Sequence, residues 1–63
     1  MKKVRIHVVS SRGKWAVLRG AHTLKRYDSQ GEAVEKANTY LSDGADVFIH
    51  DANGMVVEWK TGK

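Results

Sequence analysis

The sequence predicts an α+β domain spanning residues 1–63, in which two antiparallel β-hairpins are separated by one α-helix, in the order β-β-(β)-α-β-β. The helix is expected on one face of the sheet. Three observations carry this reading. Segments at both ends of the chain alternate apolar and polar residues around glycine-containing turns, and a capping signature opens a helical pattern between them. With 63 residues and no cysteine, the chain makes one small domain without disulfides or thiolate zinc ligands.

From Lys3 to Val9 the alternation is clean, with Val4, Ile6 and Val8 on one side and Arg5, His7 and Val9 on the other. Ser10-Ser11-Arg12-Gly13 reads as a four-residue loop, after which Lys14 to Arg19 returns. That loop pairs Val8 with Trp15 and Ile6 with Val17 inside, and His7 with Ala16 and Arg5 with Leu18 outside. Gly20-Ala21 interrupts the strand, and His22 to Tyr27 reads either as a short third strand or as an extended connector. Ser29 with Glu32 three residues later fits a capping box, which satisfies otherwise orphaned backbone donors at a helix start. Ala33, Val34, Ala37, Tyr40 and Leu41 then form an apolar stripe that ends at Asp43-Gly44.

The second hairpin joins Asp46–His50 to Met55–Lys60 through Asp51-Ala52-Asn53-Gly54, repeating the loop spacing of the first. In this register Val47, Ile49 and Val56 face the core, and Phe48, His50, Met55, Val57 and Trp59 face away from it. One helix covers only one side of a four-stranded sheet, so the far side is expected to present an apolar and aromatic surface to a partner. A slip of one residue in the last strand would exchange the faces and bury Trp59 as core.

Charge is distributed unevenly. Lys2, Lys3, Arg5, Arg12, Lys14, Arg19, Lys25 and Arg26 all precede the first carboxylate, Asp28. The formal net charge is +4, a bias toward polyanions. Arg5, His7, Arg12, Lys14, Arg19, Lys25 and Arg26 are the candidate nucleic-acid contacts, with Phe48 and Trp59 available to stack on unpaired bases of single-stranded DNA or RNA. Phe48, His50, Met55, Val57 and Trp59 are the candidate interface for a second copy, packed sheet to sheet as a homodimer, or for a different protein partner.

No catalytic constellation is expected. Ser10, Ser11 and Ser29 have turn and cap roles, Asp43, Asp46 and Asp51 stand at element ends, and Gly13, Gly20 and Gly31 do not match phosphate-binding spacings. His7, His22 and His50 lack the local spacing of a zinc site, so neither a metal nor a cofactor is implied. Nor does any apolar run approach the ~20 residues of a membrane span, and Lys2-Lys3 leads into a strand pattern rather than a signal-peptide core. The expectation is a cytoplasmic, non-enzymatic binding module.

His7-Val8-Val9, Gly13-x-Trp15-x-Val17, Tyr27-Asp28-Ser29-x-x-Glu32-Ala33, Ile49-His50 and Gly54-x-Val56 together resemble the small bacterial and phage family called domain of unknown function 2188. The resemblance spans nearly the whole chain and implies paired strands, a helix and a closing hairpin, with no established activity. This sequence departs from the family pattern at Tyr27, where Phe is usual, and lacks the usual proline after the valine pair. It also has Val57 and Trp59 where family members tend to carry charge, which makes its last strand unusually apolar. A phage or mobile-element accessory role is what such a family association implies.

Overall fold

Alternation places Ile6 and Val8 of the first strand, β1 (Arg5–Ser11), in the core of the computed structural model, which describes residues 4–62. Lys2 and Lys3, read above as basic residues and as the lead into the first strand, lie outside the described residues. The chain returns along β2 (Lys14–Arg19) and continues into β3 (His22–Tyr27), so the segment that reads as either strand or connector is a strand. After the helix α1 (Gln30–Asn38), β4 (Asp46–His50) and β5 (Val56–Lys60) complete one five-stranded mixed sheet, ordered β3-β2-β1-β4-β5. The expected four-stranded sheet thus gains β3 at one edge, while β1 and β4 pair in parallel at its centre.

The first turn is tighter than expected. Arg12 and Gly13 have φ of 51° and 80°, as a two-residue type I′ connection requires, and Ser11 pairs with Lys14. The four-residue loop is therefore corrected, and Val8 pairs with Val17 rather than Trp15. Each side chain nevertheless keeps its face, because the register moves by an even number of residues.

Ser29 caps α1, accepting from the Glu32 N–H at 3.3 Å and donating its hydroxyl to Glu32 Oε1 at 3.2 Å. The helix ends earlier than the apolar stripe suggested. Thr39 donates its hydroxyl to the Lys36 carbonyl at 2.6 Å, and the backbone tightens to i−3 bonds through Tyr40. A single 3₁₀ turn, Leu41–Asp43, follows and closes on Gly44, whose φ of 89° reverses the chain into β4. Ala33 and Ala37 are fully buried and allow α1 to pack closely over Ile6, Val8, Val17, Val47 and Ile49, with Val4, Trp15, Tyr27, Val34, Tyr40 and Leu41 around the margin.

In the second hairpin, Asp51 Oδ1 accepts from the Asn53 and Met55 N–H groups, and the Asp51 N–H donates to the Met55 carbonyl at 2.8 Å. A bulge then offsets the ladder, so that His50 opposes Val56 whereas Ile49 opposes Glu58. Two expectations are corrected here. Val56, not Met55, stands opposite His50, and Val56 is 52% exposed instead of packed in the core. Beyond the bulge Trp59 opposes Phe48, on the face away from α1, so the alternative with Trp59 buried as core does not hold.

Candidate functional site

The open face of the sheet is built from alternate residues of every strand. Because directly paired residues project to the same side, one row crosses the sheet from Thr23 through Leu18, His7 and Phe48 to Trp59. Three rings in that row form a column. His7 stacks on Phe48 with centroids 5.0 Å apart and planes 16° from parallel, and Phe48 stacks on Trp59 at 5.8 Å and 8°. Trp59 ends the column and is 63% exposed. His50 stands beside His7, with ring centroids 5.3 Å apart.

A second row runs from Arg26 through Ala16 to Val9. Ala16 is buried although it lies on the open face, because larger neighbours flank its methyl group. Val9 and Leu18, both half-buried, extend the apolar surface beyond the expected five-residue patch.

Of the seven candidate nucleic-acid contacts, Arg5, His7, Lys14 and Arg26 share this face. Arg5 is in register with Asp46 across the parallel β1–β4 pair, and Lys14 Nζ lies 3.3 Å from Asp28 Oδ1 in an exposed ion pair. Arg12 sits at the tip of the first hairpin. Lys25 and Arg19 belong to the other face: Lys25 Nζ lies 5.4 Å from the centre of the Tyr27 ring, and Arg19 lines a small cavity with Val4, Tyr40, Asp43 and Ala45. In the candidate interface, Phe48 and His50 are half-buried, while Met55, Val57 and Trp59 are exposed.

Partial burial, then the neighbouring His50 and Arg5, hold the His7 pKa below its ordinary value and favour the neutral ring. Among the described residues, no group of three or more His, Asp or Glu side chains converges as a metal site, and His22 stands apart on the edge strand β3. No described helix is long and apolar enough to cross a membrane.

Alternation in the sequence reveals the rings of β4 and β5 but not their junction with β1. Parallel pairing of segments some forty residues apart leaves no local signal, so the packing of His7 on Phe48 is not readable from periodicity.

Neither the curated proteins nor the solved structures provide a match to this chain. One family does match, described as "Uncharacterized protein conserved in bacteria (DUF2188)", and it covers residues 6–61. That span takes in all five strands and the helix but for the first residue of β1, and the chain therefore belongs to the DUF2188 family.

Proposed function

We propose that this protein is a non-enzymatic binding module that takes single-stranded nucleic acid on the open face of its sheet. The observation that carries the reading is the stacked column His7–Phe48–Trp59, ending in an exposed indole and sharing its face with Arg5, Lys14 and Arg26. Phe48 is sandwiched between its neighbours, so an unpaired base extends the column at Trp59 rather than entering it. Cationic side chains on the same face neutralise phosphates, and stacking adds about 1–3 kcal/mol per base without demanding a sequence. Arg12 at the hairpin tip adds long-range attraction.

The test is fluorescence anisotropy of labelled single-stranded DNA and RNA at low and high salt. Binding weakens with salt, and Arg5→Ala with Arg26→Ala lowers the slope of log K against log salt by about 0.7 for each phosphate no longer neutralised. Absence of binding at low salt overturns the reading.

A second reading, a module for a protein partner, is favoured by the exposure of Val57 and Trp59 beside each other on β5. Its signature is association that high salt leaves intact, because apolar burial is not screened.

A further inference from the structure

The two edges of the sheet are built differently. On β3 every residue from His22 to Arg26 is exposed, with Lys25 on the helix side and Arg26 on the open face, so a like strand brought alongside meets positive charge on both. Charged edges of this kind discourage strand addition. β5 has no such guard. Val56, Val57 and Trp59 are exposed along it, and its charged residues are one acid and one base, Glu58 and Lys60, whose Oε2 and Nζ lie 3.6 Å apart. Both stand on the helix side, where Lys60 also donates to Asn38 Oδ1 at 3.3 Å.

This arrangement is self-complementary about one residue. In an antiparallel pair of β5 strands related by a two-fold axis at Trp59, Glu58 of each copy stands opposite Lys60 of the partner subunit. Side chains directly opposite share a face, so both charge pairs form on the helix side while the two indoles meet on the open face. We propose that β5 is a homodimerisation edge, and that a second copy of this chain pairs with it antiparallel about Trp59, joining two five-stranded sheets into one. The expected homodimer is thereby retained, but edge to edge rather than sheet to sheet. The difference matters, because face-to-face packing covers the whole open face, whereas edge pairing leaves that face uncovered and meets each His7–Phe48–Trp59 column only at its Trp59 end, the position a stacked base would otherwise take. Dimerisation through β5 goes beyond the nucleic-acid reading and stands without it.

Charge exchange tests it, using sedimentation of the full chain without nucleic acid. Wild type dimerises with rising concentration. Glu58→Lys alone and Lys60→Glu alone each put like charges opposite one another twice, and each weakens self-association by about tenfold or more. An equimolar mixture of the two variants forms a heterodimer of near wild-type affinity, because both opposing pairs are again of opposite sign. Circular dichroism checks that each variant keeps its fold. Should one fail to fold, hydrogen exchange of the wild-type β5 amides decides, with protection that rises with protein concentration as the supporting result. A wild type that stays monomeric, variants that associate as wild type does, a mixture that gains nothing, or exchange independent of concentration overturns the proposal. Salt-dependent oligonucleotide binding by a monomer would sink this inference and leave the proposed function standing.

Discussion

His7 Nδ1 lies 3.1 Å from His50 Nε2, joining two strands across the open face. The protons along this link are determined by its far end. His50 Nδ1 is 3.1 Å from the Gly54 carbonyl, which can only accept, so Nδ1 carries the hydrogen and the neutral His50 ring offers Nε2 as an acceptor. His7 therefore donates from Nδ1, and its Nε2 holds the lone pair. The pair fixes the second turn to the sheet centre through two rings.

Protonation of His7 is the first prediction. The folded pKa of His7 lies below its ordinary 6.5, with burial as the main cause and His50 and Arg5 adding to it. The unfolded chain then binds more protons than the folded one at mildly acidic pH. Stability is fully present above about 6.5 and declines as pH falls from there toward the folded value, below which this contribution flattens. Thermal unfolding against pH checks it: wild type loses Tm over that interval, and His7→Gln shows a shallower decline.

The first turn gives a stability prediction independent of the open face. Arg12 holds φ at 51°, a region costly for a residue that carries a Cβ and better suited to Asn before Gly. Arg12→Asn is expected to stabilise the protein by about 0.5–1 kcal/mol, relieving part of a penalty of about 1–2 kcal/mol. Urea unfolding measures the change. Because the substitution also removes a cation, stability and oligonucleotide affinity move in opposite directions.

How much of this was legible in the sequence depends on how local each signal is. The Val4-to-Val9 alternation and the Ser29–Glu32 cap are local, and both elements form where those signals stand. Face assignment in the first hairpin survives a wrong loop length, since a shift of two residues returns Val8 and Val17 to the same side. In the second hairpin the bulge turns Val56 outward, and no residue type in that segment announces a bulge. The end of α1 is obscured by Thr39, whose hydroxyl competes for the Lys36 carbonyl while the apolar stripe runs on to Leu41. The segment His22–Tyr27 reads as strand or connector alike for the opposite reason: nearly all of β3 is exposed, so it carries no alternation.

The segment after β5 passes close to the start of β4 at Gly62. A Cβ at Gly62 would come within 2.6 Å of the Gly44 carbonyl carbon and 2.8 Å of the Ala45 nitrogen, both backbone atoms. Gly62→Ala therefore forces the segment after β5 away from the start of β4. The expected cost is about 1–3 kcal/mol, typical of overpacking, with hydrogen exchange at the Ala45 amide rising before that of the central strands.

The layer arrangement separates two large apolar residues that composition alone would treat alike. Ile6 is wholly buried beneath α1, and truncating it removes both transfer energy and packing, so Ile6→Ala is expected to cost about 2–5 kcal/mol. Trp59 is the larger side chain, yet it stands on the uncovered face and meets Phe48 through one ring face. Trp59→Ala is expected to cost only about 0.5–1.5 kcal/mol in the monomer, the worth of a stacked aromatic pair. Urea unfolding of both variants at low protein concentration tests this order. If Trp59→Ala proves the more damaging, the open face is contributing to the core, and the case for a docking surface there fails with it.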